Sequence, residues 1–204
     1  MGAHASNAYV VRTVQRSPAL RFHLLGHIGA FVSGAAFKMA TPRKTAQLLT
    51  YLLLHRGATV SRDYLAFLFW PDDAEESARA KLRSTLFDLT RLLPPAAEGI
   101  PWLSYDGTGI RWNAEADVSV DVDDFDDAIA SRQFQTAVTL YSGDLLEGLY
   151  DEWLLAPRER LRSAYVSALS HLISQARATM DYSTAIGYAK RLLQTDPLRE
   201  DVAR

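Results

Sequence analysis

Ser77, Lys81, Arg83 and Ser84 lie in one stretch whose apolar residues, Ala78, Leu82, Leu86, Leu89 and Leu93, recur at helical spacing. Hydroxyls, an ammonium and a guanidinium on the free side of such a helix are suited to reading base edges. The major groove of DNA admits a helix of about 10 to 12 Å diameter. Arg43, Lys44, Arg62, Thr108 and Arg111, elsewhere in the same half, have the chemistry to hold phosphates. A single Lys or Arg on an amphipathic helix is ordinary solvated surface, and Arg79 or Arg83 can pair with Glu75, Glu76 or Asp88. The weight lies in their collection on one element. Asp88 is repelled by phosphates, so the far end of this helix is expected to leave the groove.

Other chemistries find little support. Five acids between Asp121 and Asp127 suggest a calcium loop, which needs Gly at its sixth place and Glu at its twelfth; counted from Asp121 these are Asp126 and Arg132. Acids favouring a helix N-terminus explain the run better. His23 and His27 flank a turn without a third metal ligand, and His171 lies in a Leu-rich segment where packing is expected. With no cysteine, thiolate metal sites, disulfides and cysteine nucleophiles are excluded. Phosphate loop, Gly-x-Ser-x-Gly elbow and His-Glu-x-x-His helix are likewise missing from the sequence, which reads as non-enzymatic with no cofactor or metal.

The elements that must position the basic residues follow from local signals. Leu20 to Ala40 holds three short apolar stretches punctuated by Gly26, Gly29 and Gly34, predicting a small antiparallel meander. Thr41 is then expected to cap a helix with Pro42 at its first position and Ala46, Leu49, Leu52 and Leu53 on its apolar face. Ser61 caps a second helix, Arg62 to Trp70, with Tyr64, Leu65, Leu68 and Phe69 on one side. Asp72 with Glu75, or Asp73 with Glu76, resembles a capping box opening a third helix near Ala74, which Pro94-Pro95 closes. Trp102–Tyr105 and Ile110–Trp112 flank Asp106-Gly107-Thr108-Gly109, a hairpin signal. Strands, three helices and a hairpin are the parts of a winged helix-turn-helix, with the third helix as recognition helix and the hairpin as wing.

Past Ala116 the pattern becomes helical: Val122–Ser131, Gln133–Tyr141, Asp151–Met180 and Tyr182–Gln194. Tyr182 to Ala189, followed by Asp196-Pro197, is similar to the second helix and closing proline of a tetratricopeptide repeat, a unit that usually binds protein. The charge divides at the same place. Residues 1–115 carry 13 Lys and Arg against 9 Asp and Glu; residues 116–204 carry 9 against 15. If either half touches phosphates it is the first.

At 204 residues, 48% apolar and 23% charged, the chain fits an α+β, mainly α protein of two domains. Residues 1–17 read as a flexible leader, 18–115 as an OmpR-like winged helix and 116–204 as a tetratricopeptide-like helical domain. No apolar run approaches the ~20 residues of a membrane span, and a cytoplasmic location is expected. The chain stops at Asp201–Arg204, inside what reads as the start of another helix, so a longer protein is expected. The connection from Trp112 to Val120 is short, so the halves are expected to pack against one another rather than swing.

From about Leu20 onward the chain resembles the antibiotic-regulatory-protein (SARP-type) regulators, which join an OmpR-like winged helix to a bacterial transcriptional activation domain (BTAD). The motifs that carry this are Leu48–Gly57, Val60–Leu65, Trp70-Pro71-Asp72, Ala78-Arg79 and Leu82-Arg83. In the second half they are Val120-Asp121-Val122 with Phe125, Tyr141–Leu146, Trp153 with Arg158 and Leu161, and Asp196–Glu200. The resemblance implies a transcriptional activator that binds double-stranded promoter DNA as a homodimer or side-by-side pair on repeated sites and then contacts RNA polymerase. It also implies further C-terminal domains of the same protein as partners. The competing expectation is a protein-interaction or sensory module whose winged helix does not read DNA.

Overall fold

A computed structural model of the chain describes residues 20–38, 42–95, 100–107 and 109–195. Alternation in Leu20-Arg21-Phe22-His23 buries Leu20 and Phe22 completely and leaves Arg21 and His23 outside, which makes strand β1 (Leu20–His23) the inner face of a sheet. It pairs antiparallel with β2 (Gly29–Val32), and β2 with β3 (Ala35–Ala36), across a turn in which Ser33 and Gly34 both take positive φ, 48° and 83°. The meander gains a fourth strand from far along the chain. Segment β7 (Val118–Val120) lies parallel to β1, completing the order β3-β2-β1-β7.

Helix α1 (Arg43–Leu54) starts one residue later than expected. Pro42 is extended (ψ 143°) and stands outside the helix, and the expected cap Thr41 lies outside the described residues. Instead of a single apolar face, α1 buries Thr45 and the whole run Gln47 to Leu53, because partners surround it. Helix α2 (Arg62–Phe69) is capped by Ser61, whose Oγ accepts from the backbone N–H of Tyr64 at 3.4 Å, and buries Leu65, Ala66 and Phe69; Tyr64 stays 48% exposed, against expectation. Helix α3 (Glu75–Leu92) has Ala74 at its cap with no side-chain hydrogen bond, so neither Asp72 nor Asp73 forms a capping box. Both aspartates precede the cap position, and Glu75 and Glu76 in the first turn favour the positive helix end. Strands β5 (Leu103–Asp106) and β6 (Gly109–Trp112) form the expected hairpin, and β4 (Val60–Ser61) joins it in the order β4-β6-β5.

The second half contains α4 (Asp121–Ala130), α5 (Phe134–Leu140), a 3-10 turn at Glu152–Leu154, α6 (Leu155–Ala178) and α7 (Tyr182–Thr195). The repeat read from Tyr182 onward has a counterpart earlier in the chain. Arg132 after α4 and Met180 after α6 both take the left-handed conformation, φ 57° and 59°. Gln133 N–H donates to the Ala128 carbonyl (2.8 Å) and Asp181 N–H to that of Ala176 (2.9 Å), the same six-to-one helix stop in both. Phe134 and Tyr182 then open the following helices, which bury Ala137 and Ala185. His171, expected to be packed, is exposed and stacked on Phe134 (centroids 4.6 Å, planes 4° apart).

The halves share one continuous core, as the short connection predicts. The Asp121 carboxylate, buried at the start of α4, accepts from the backbone N–H groups of Leu24 (2.8 Å) and Leu25 (3.1 Å). Gly26, with φ +95°, donates to the Asp144 carbonyl, and Glu147 N–H donates back to Gly26. Arg158 fixes that loop by donating to the carbonyls of Leu145, Leu146 and Leu149. Trp153 meets Tyr51 of α1 edge-on at 5.1 Å, and Gln47 donates to Asp151. Of the acidic run, Asp123 pairs with Arg56, Asp124 with Arg21 and Asp126 with Arg160. These acids open a helix and pair with arginines.

Candidate nucleic-acid interface

Burial of Ala78, Leu82, Thr85, Leu86 and Leu89 fixes which side of α3 faces the core. At about 100° per residue, the opposite side carries Ser77, Ala80, Ser84, Phe87 and Arg91 in one row, all exposed. Lys81 and Arg83 stand on opposite flanks of that row, about 160° apart. Lys81 turns toward the start of its own helix, where its ammonium binds the Asp73 carboxylate at 2.5 Å. Arg83 has no ion-pair partner among the described residues and faces a groove.

That groove, of 610 Å³, runs between α3, the start of α2 and the β5–β6 hairpin, and is lined by Arg62, Arg79, Arg83, Phe87, Thr90 and Tyr105 among others. Its floor is Leu82 and Leu86, and its one carboxylate is Asp63. The Arg62 guanidinium lies 5.3 Å from the Tyr105 ring centre, a cation–π placement that holds the cation at the rim. Arg79 binds Asp63 at 2.8 Å and Glu75 at 2.6 Å. Hydrogen bonding from Arg79 holds the Asp63 carboxyl below its usual range, and the same contact raises the Arg79 guanidinium. Burial pushes the Tyr105 phenol up, opposed by the nearby Arg62 charge.

The expected phosphate-holding residues divide. Arg62 joins the groove. Arg111 is exposed on β6, its Nε donating to Ser104 Oγ at 3.1 Å, and Arg43 is exposed at the start of α1. Thr108 lies outside the described residues. Lys44, exposed as a residue, is engaged by its own fold: Nζ donates to the Phe69 carbonyl at 2.8 Å, at the end of α2, and sits 5.9 and 5.8 Å from the Phe69 and Trp70 ring centres. Sequence reasoning missed Phe87, Thr90, Arg91 and Tyr105. The i, i+4 spacing of Arg79 and Arg83 was a usable signal for a basic flank, whereas Tyr105 needed the hairpin to be placed. Among the described residues no three His, Asp or Glu converge as metal ligands; His23 packs on Phe31 and His27 stands 3.6 Å from Glu147. No helix among them is long and apolar enough to cross a membrane.

Comparison with known proteins gives the second half a family: residues 113–204 match the bacterial transcriptional activator domain. Regulatory protein AfsR of Streptomyces coelicolor is 24% identical over 200 residues, 91% of this chain, which spans 20% of that relative's length. Among solved structures, Mycobacterium tuberculosis EmbR in complex with a low-affinity phosphopeptide shares the fold at TM-score 0.70 and 23% identity, over 91% of this chain and 52% of that one. Residues 113–204 thus carry the match to a bacterial transcriptional activator domain, and over 91% of its length the chain is similar in sequence to AfsR and in fold to EmbR.

Proposed function

We propose that the chain binds double-stranded promoter DNA, with α3 in the major groove and the β5–β6 hairpin on the flanking backbone, and activates transcription by contacting RNA polymerase through the helix pairs of its second half. The observation that carries this reading is the groove in which Arg62, Arg79 and Arg83 surround a single carboxylate beside the exposed row of α3. A net positive rim next to a helix of major-groove width matches a polyanion. The fused core supports the link to polymerase, since a helical half locked to the winged helix is carried to the promoter in a fixed orientation. Pairing of two copies on repeated sites is part of the same proposal.

The test is a salt titration of binding by the full chain to its own promoter duplex and to a random duplex of equal length. Specific binding weakens steeply with salt, with a log–log slope of about −0.9 per phosphate contacted. Arg83→Ala weakens binding about tenfold or more, and Lys81→Ala much less, because Lys81 already has a carboxylate partner. A folded sample that binds neither duplex is the behaviour of an interaction module whose winged helix does not read DNA, and refutes the proposal.

A further inference from the structure

We infer that Phe87 reads the 5-methyl groups of thymine in the major groove, giving the surface a preference for T·A pairs at the positions Phe87 reaches. This rests on the DNA-binding reading above and names the chemical feature that its central side chain takes. Phe87 is 60% exposed, whereas Leu82, Leu86 and Leu89 of α3 are buried. It stands within about 20° of the outermost line of the helix, where Ala80 and Ser84 leave room for close approach. Phe87 is one of several exposed large apolar side chains among the described residues, and its place on this row is what sets it apart.

The surroundings specify the partner. Arg91 lies 5.5 Å from the Phe87 ring centre, and Arg62, Arg79 and Arg83 line the groove that Phe87 borders, with Asp63 as that groove's one carboxylate; the exposed Asp88 lies about 100° around the helix from Phe87, on the Lys81 flank and away from the groove. An apolar point inside a cationic rim complements a polyanion that displays apolar groups at the bottom of a groove. In duplex DNA the apolar group of the major groove is the thymine methyl. Phe87 is the one large apolar side chain on the row of Ser77, Ala80, Ser84 and Arg91, while Leu82, Leu86 and Tyr105 line the adjoining groove.

The experiment selects duplexes from a random library with the full chain, then remakes the preferred duplex with deoxyuridine at every thymine. This removes only the 5-methyl group and keeps base pairing. The deoxyuridine duplex is expected to bind about fourfold more weakly per contacted methyl. Phe87→Ala, folded with an unchanged unfolding midpoint, is expected to bind both duplexes equally and to keep the wild-type salt slope, because its phosphate contacts remain. Equal binding of both duplexes by the wild-type chain, or a thymine preference that survives in Phe87→Ala, overturns this inference alone. Selection of no duplex overturns it together with the DNA-binding reading.

Discussion

Replacing Asp121 with Ala removes the acceptor of two buried backbone donors at the junction of the two halves. Leu24 N–H and Leu25 N–H donate to its carboxylate at 2.8 and 3.1 Å, and all three residues are buried. A buried donor left without a partner costs about 1–3 kcal/mol. Some of this returns as water enters, and the wild-type carboxylate itself carries a desolvation cost, so Asp121→Ala is expected to lower stability by about 2–4 kcal/mol. In urea, with a slope of about 1–3 kcal/mol per M, the midpoint falls by roughly 1–2 M.

Burial pushes the Asp121 carboxyl above its ordinary value, against the pull of its backbone hydrogen bonds and of His23. The folded state therefore holds this proton more tightly than the unfolded state. The resulting increment is fully present below the unfolded value of about 3.9 and is lost as pH rises through the folded value. The wild-type advantage over Asp121→Ala accordingly widens as pH falls from about 7 toward 4. Urea unfolding of both chains across that range, followed by tryptophan fluorescence, measures it. A difference below about 0.5 kcal/mol at every pH refutes the assignment of Asp121 as the anchor between the halves.

Gly109→Ala is expected to lower stability by about 1–3 kcal/mol, since a Cβ there would lie 2.2 Å from Thr59 Cγ2 and 2.6 Å from Asp106 Oδ1; a thermal melt that moves by less than a degree contradicts this. Met180→Gly is expected to add about 0.5–1 kcal/mol by relieving a left-handed residue, and calorimetry showing a lower midpoint would oppose it; Met180 is 75% exposed, so little packing is lost. Trp153→Ala should open the seam with α1 by removing the contacts to Tyr51 and Phe69, seen as faster proteolysis at residues 113–119; an unchanged cleavage rate argues against a tight seam.

Local chemistry was enough for much of the architecture. Ser61 caps α2 as its type dictates, and β5 and β6 pair antiparallel with Asp106 opposite Gly109. The alternation of β1 and the apolar spacing of α3 fix which of their faces are buried. These depend on residues a few positions apart, within reach of spacing rules. The basic character of the first half was legible in the same way, because charge is a property of composition.

Long-range contacts decided the rest. Nothing near Val118 reveals that it pairs with Leu20, and the helical spacing of α1 cannot show that Asp151 and Trp153 will cover another of its sides. Lys81 and Arg83 are equivalent as sequence, two cations on one amphipathic helix. Only the fold turns Lys81 to Asp73 and Arg83 into the groove beside Arg62 and the hairpin. A charge acts according to the groups that lie within a few ångströms of it, and for these residues the tertiary fold supplies them.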